Sequence, residues 1–128
     1  MNEDAAETLL VHPQILRVLL VEDESLIAML LEDMLGELGH GIVGPLGDLT
    51  KAMRAAATEA LDIGILDINI NGGDTFPIAD LLASRNIPFI FSTGYSKSSL
   101  PLKYQGGCVL QKPFRIQDLQ KVLTDAFL

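Results

Sequence analysis

The stretch LDIGILDININGGD, residues 61–74, decides how this chain folds. Ile63, Ile65 and Leu66 read as a strand buried in a sheet, and Asp67 closes it. Asn71, Gly72, Gly73 and Asp74 then break the pattern into a loop. A carboxylate at the C-terminal end of a central strand stands where open α/β sheets gather their ligands. The rest of the chain brings partners to it: further acids, a hydroxyl and a lysine.

Upstream, Arg17 to Val21 (RVLLV) is a continuous apolar run, the mark of a strand covered on both faces. It ends in Glu22, Asp23 and Glu24. Ser25 stands where an N-cap would, ahead of a helix over Leu26 to Leu38 that Gly39 closes. Ile27, Leu30, Leu31, Met34 and Leu38 share its inward face. Leu26 and Met29 fall on the other side, among Glu32, Asp33 and Glu37, and read either as isolated surface residues or as a docking spot. Gly41 to Pro45 is a short second strand, and Asp48 or Thr50 can cap the helix that follows. Downstream of the central stretch, Pro77 suits the first turn of a helix ending at Arg85. Pro88 to Ser92 (PFIFS) is a fourth strand, closed by Thr93 and Gly94. Residues 95–107 carry little pattern, so any helix there should be short and marginal. Cys108 to Gln111 is a fifth strand, ended by Lys112-Pro113, and Arg115 to Phe127 a last helix with Ile116, Leu119, Leu123, Ala126 and Phe127 inward. Strand alternating with helix predicts an α/β fold: a five-stranded parallel doubly wound sheet with helices on both faces.

The bulk properties narrow the function. A chain of 128 residues is one domain. Its net charge of −8 argues against nucleic acid as a direct partner. The single cysteine forbids an internal disulfide and fits a reducing compartment, so a cytoplasmic location is expected. Cys108 reads as a small strand residue and His40 as a helix-end one. No apolar run approaches the roughly 20 residues that span a bilayer, and no membrane partner is expected. Residues 1–16 are acidic and lack the basic start of a signal peptide. They form an N-terminal extension to the domain at 17–128, and His12 within them reads as an ordinary surface histidine.

The strand ends carry Glu22 and Asp23 after the first strand, Asp67 after the third, Thr93 after the fourth and Lys112 after the fifth. Taken singly, each has a bland reading: a helix start, a backbone-satisfying hydroxyl, a turn. Together they line one cleft. Carboxylates gathered there raise one another's pKa, and a hard divalent cation such as Mg²⁺ relieves the repulsion. Beside such a cation Asp67 can act as a nucleophile toward phosphorus, with Thr93 and Lys112 stabilising the phosphoryl oxygens.

These residues resemble the receiver domain of two-component response regulators. The similarity covers Arg17 to Leu128 and rests on VEDE at 21–24, LDIN at 66–69, STG at 92–94 and KPF at 112–114. It implies a flavodoxin-like sheet of order 2-1-3-4-5. It implies that Asp67 accepts a phosphoryl group from a histidine kinase or phosphotransferase. Asp23 and Asp67 would hold Mg²⁺ directly with the Asn69 backbone carbonyl, and Glu22 through water. Thr93 would hydrogen-bond the phosphoryl group, Gly94 leave room for it and Lys112 pair with it. The Lys112-Pro113 bond is expected to be cis, which proline permits. PFIFSTGY at 88–95 is similar to a subclass of stand-alone receivers marked Pro-Phe-x-Phe-Ala-Thr-Gly-Gly/Tyr, whose kinases are of the HWE type. Two positions depart from the common pattern. Val109 stands where most receivers carry a switch aromatic, Tyr95 reads either as its replacement or as a plain loop tyrosine, and Asn71 replaces a loop proline, which suggests a less rigid loop.

The leading reading is therefore a phosphorylatable signalling domain and not an enzyme. Since the chain stops after its fifth helix, output is expected through protein contact or as a phosphate sink. By resemblance, the face at residues 95–128 is the candidate for output or homodimerisation, and the first helix for the kinase. A phosphatase of the haloacid-dehalogenase kind needs an acid two residues past the nucleophile, where this chain has Asn69. No Gly-rich phosphate loop follows a strand, which argues against nucleotide binding. The remaining alternative is a phosphorylation-independent interaction module that kept the fold and lost the chemistry.

Overall fold

The computed structural model describes residues 15–127. Expectations for residues 1–14, His12 among them, and for Leu128 lie outside the described residues. Seven strands and four helices follow in the order β1 (Arg17–Val21), α1 (Ser25–Glu37), β2 (Gly41–Leu46), α2 (Leu49–Thr58), β3 (Ile63–Asp67), β4 (Asn69–Ile70), β5 (Gly73–Asp74), α3 (Phe76–Ser84), β6 (Phe89–Thr93), β7 (Cys108–Gln111) and α4 (Ile116–Phe127). The main sheet is parallel with order β2-β1-β3-β6-β7, which is 2-1-3-4-5 among its five strands, as expected. β4 and β5 form a small antiparallel hairpin of their own.

Alternation along the strands sends side chains to two apolar layers. Leu19, Val21, Leu66 and Phe91 meet Ala52, Ala55 and Ala56 of α2 and Ile78, Ala79 and Leu82 of α3. Val18, Leu20, Ile63, Ile65, Ile90 and Leu110 meet Leu31 and Leu35 of α1 and Leu119 and Leu123 of α4. The alanines bring α2 close to the sheet.

Several local details differ from the sequence reading. Ser25 begins α1, and Glu24 is the N-cap, without a side-chain capping bond. On α1 the buried stripe is Ala28, Leu31 and Leu35, whereas Leu30 is exposed beside Leu26 and Met29. Asp48 does cap α2, accepting from Lys51 N at 3.0 Å. Residues 97–99 and 102–104 form two short 3₁₀ turns instead of a helix, in line with their weak pattern. The peptide bonds before Pro113 and, unanticipated, Pro45 are cis. The β1–β2 register shifts between Leu19 and Val21, opposite Gly44-Pro45. Gly44 has φ +115°, and a Cβ there would meet the Leu20 carbonyl oxygen at 2.6 Å, so only glycine fits this irregularity. The loop after Asp67, expected to be less rigid without proline, carries the β4–β5 pairing and bonds from Leu49 N to Asn71 O at 2.9 Å and from Asn71 N to Gly47 O at 3.2 Å.

Candidate functional site

The sheet delivers its acids to one point because β1 and β3 are neighbours paired in register, Val21 opposite Leu66. The residues just beyond, Glu22, Asp23 and Asp67, therefore leave the sheet side by side. Each offers a carboxylate oxygen within 4.8 Å of the others. Asp23 is exposed, Asp67 half-buried and Glu22 only 3% exposed. Gly47 closes in on this corner: a Cβ there would lie 3.0 Å from Cα and Cβ of Asp23.

Lys112 enters from the far side of the sheet. Its Nζ donates to Glu22 Oε1 at 3.2 Å and stands 3.7 Å from Asp67 Oδ2. Glu22 Oε2 accepts from Glu24 N at 3.0 Å. Burial pushes the Glu22 carboxyl up to about 7; the Glu24 N–H opposes this, Asp67 adds to it and the Lys112 charge offsets part of it. Oδ1 of Asp67 accepts from Ile68 N at 2.8 Å, which fixes the carboxylate's rotation.

Thr93, at the end of β6, is buried, and its hydroxyl oxygen accepts from Tyr95 N at 3.0 Å. Gly94 borders open space, with nothing within 4 Å of the position a Cβ would take. Tyr95 is 68% exposed. Asn69 lies on β4, exposed and paired with Asp74. The geometry thus brings Glu22, Asp23, Asp67 and Lys112 together, with Thr93 and Gly94 at the adjoining strand end. Such a corner can hold a divalent cation on oxygen donors and an anion against the ammonium.

Two residues escaped the sequence reading, and a third, Ser92, entered it only as part of a motif. Thr75, fully buried, donates its hydroxyl to the Asp67 and Ile68 carbonyls and so ties the β3 end to the start of α3. Its signal was its place just before Phe76-Pro77, where an N-cap belongs. Tyr104 stacks on Phe76 with centroids 4.8 Å apart, meets Phe91 edge-on at 5.5 Å and donates to Asp80 at 2.7 Å. It lies in the same apolar layer as half-buried Val109. Ser92 carries a buried hydroxyl. Away from the site, Cys108 is half-buried, and His40 accepts from Leu16 N at 3.1 Å through Nδ1. No helix among the described residues is long and apolar enough to cross a membrane.

The sequence matches the response regulator receiver domain family over residues 18–124. PdtaR, a transcriptional regulatory protein of Mycobacterium tuberculosis strain H37Rv, is 37% identical over 107 residues, 80% of this chain and 52% of PdtaR. The chain thus spans about half the length of that curated relative. The solution structure of SdrG from Sphingomonas melonis Fr1 superposes with a TM-score of 0.80 at 39% identity, covering 89% of this chain and 98% of the other. The BeF3-activated conformation of SdrG from Pseudomonas melonis Fr1 gives a TM-score of 0.75 at 40% identity, covering 88% and 96%. With its sheet order, its acidic corner and these relatives in agreement, the chain belongs to the response regulator receiver domain family.

Proposed function

We propose that this chain is a phosphoacceptor of two-component signalling, with Asp67 as the residue phosphorylated. The carrying observation is the Glu22, Asp23 and Asp67 cluster within 4.8 Å, with the Lys112 ammonium between Glu22 and Asp67. The donor set is all oxygen, as Mg²⁺ requires, and burial holds one of the acids, Glu22, up at about 7 even with Lys112 beside it. Asp23 and Asp67, with the Asn69 carbonyl, would hold the ion, and Glu22 would support it from behind them. Bound there, Mg²⁺ supplies positive charge for the oxygens of the transferring group.

The chain's own residues do the rest. An Asp67 carboxylate oxygen forms the new O–P bond as the P–N bond of a phosphohistidine breaks, and the departing imidazole keeps the electron pair. Lys112 pairs with a phosphoryl oxygen, Thr93 donates its hydroxyl to another, and Gly94 leaves the space. The donor is a histidine kinase, of the HWE type, or a phosphotransferase. Leu26, Met29 and Leu30 give it an apolar spot on α1, enlarged by Leu30. The domain runs over 17–128 with residues 1–16 as an extension, and it works in the cytoplasm. The face at 95–128, with Tyr95 beside the phosphoryl pocket, serves output or a homodimer; a short adduct lifetime would instead mark a phosphate sink. A relative with a BeF3-activated conformation supports this reading, since trifluoroberyllate imitates a phosphoryl group on a carboxylate.

The test is intact mass after incubation with acetyl phosphate, with and without Mg²⁺. The expected result is one phosphoryl adduct that needs Mg²⁺ and is absent from Asp67→Asn. No adduct together with no Mg²⁺ binding would instead establish a phosphorylation-independent module.

A further inference from the structure

Ser92 holds the one buried side-chain polar atom among the described residues that has no hydrogen-bond partner. The residue is 1% exposed. Buried hydroxyls are nearly always paired, and an unpaired one calls for an explanation such as a catalytic role or a missing partner.

Its place suggests which partner. Ser92 is in register with Asp67 of β3 on one side and Leu110 of β7 on the other. Ile90, two residues earlier, faces the layer under α1 and α4. Side chains alternate along a strand, so Ser92 faces that layer too. β6 lies between β7, which carries Lys112 at its end, and the strands that carry the acids. The lysine stem therefore crosses over β6 to bring Nζ to Glu22 and Asp67. Asp67 Oδ1 is already held by Ile68 N. The mobile group at this end of the sheet is the Lys112 ammonium, with three N–H donors on a flexible stem.

We propose that Ser92 is a positioning residue for the phosphorylated state. When a phosphoryl group on Asp67 draws Lys112 away from Glu22, the Ser92 hydroxyl accepts one ammonium N–H and holds the lysine on the phosphoryl oxygen. Ser92 takes no part in the bond changes. The inference rests on the phosphoacceptor reading above. The competing account is a small residue filling space that alanine would fill equally well.

Ser92→Ala separates the two. The probe is trifluoroberyllate with Mg²⁺, titrated at equilibrium, alongside the melting temperature of the unliganded protein. The expected result is a melting temperature at or above that of the unsubstituted protein, with trifluoroberyllate bound about three- to tenfold more weakly, the worth of one hydrogen bond. The Lys112 ammonium resonance of the loaded protein should shift as well. Unchanged affinity overturns the inference, whether or not the melting temperature moves. If the unsubstituted protein takes neither trifluoroberyllate nor a phosphoryl group, the receiver chemistry fails and this inference with it.

Discussion

Burial beside Asp67 gives Glu22 a titration that sets how the metal-free protein responds to pH. Its carboxyl rises from 4.5 to about 7 on folding. Between those values the unfolded chain has released a proton that the folded chain keeps, so stability falls as pH rises through that window. Glu22→Gln removes the effect. Without divalent ions its stability should exceed that of the unsubstituted protein at pH 8 by an amount on the order of 3 kcal/mol, and match it near pH 5. A gap of equal size at both pH values would refute the assignment. Thr75 makes a second residue-scale prediction. Thr75→Val keeps the shape and removes the hydroxyl that holds the Asp67 and Ile68 carbonyls. Urea unfolding should register a loss of about 1–3 kcal/mol, and Thr75→Ser should recover most of it. Charged residues at strand ends were legible in the sequence because an apolar run ending in Asp or Lys is a strong local signal. Thr75 was not, because a hydroxyl's importance depends on which carbonyl the fold brings near it.

At the scale of elements, two side chains fasten parts that share no backbone pairing. Arg85, just past α3, donates to the carbonyls of Ala56 and Glu59 at the end of α2. A helix's last carbonyls lack partners within the helix, so this arginine caps α2 from its neighbour. Arg85→Ala should cost about 1–2 kcal/mol and speed amide exchange in the last turn of α2 before that of the strands. Tyr104 fastens residues 95–107 to α3. Its hydroxyl bond and Lys103 hold the Asp80 carboxyl below its ordinary range, while burial and that same bond raise the tyrosine's. Tyr104→Phe should loosen residues 97–105, seen as faster amide exchange there, with β6 and β7 still protected. Equal protection in both proteins would mean the ring stack alone holds the segment. The weak pattern of 95–107 correctly foretold the absence of a full helix, but not the anchor, since a lone tyrosine among serines and glycines has no periodic partner in sequence. On α1 the apolar spacing misassigned Leu30: the stripe at Ala28, Leu31 and Leu35 is narrow, and Leu30 lies about 100° around the helix from Leu31.

For the whole molecule, a cation held at the acidic corner would be linked to folding. An ion that binds only the folded chain stabilises it by an amount that grows with concentration, about 2.7 kcal/mol at one hundred times its dissociation constant. Mg²⁺ should therefore raise the melting temperature, and Asp23→Asn should abolish most of that rise while leaving the metal-free melt nearly unchanged. The sheet order was available in advance because continuous apolar runs separated by helices admit few arrangements, and the resemblance chose among them. The hairpin β4–β5 and the irregularity at Gly44-Pro45 were not, because each is fixed by contacts with a distant strand or loop. That irregularity has a consequence beyond packing. β2 is an edge strand of the main sheet, and an edge is a row of unpaired backbone groups able to recruit a strand from another molecule. Pro45 has no N–H to offer, and the register shift opposite it interrupts the row. At the other edge, β7 is four residues long. Both borders of the sheet therefore offer a strand from another molecule only a short or interrupted row to pair with.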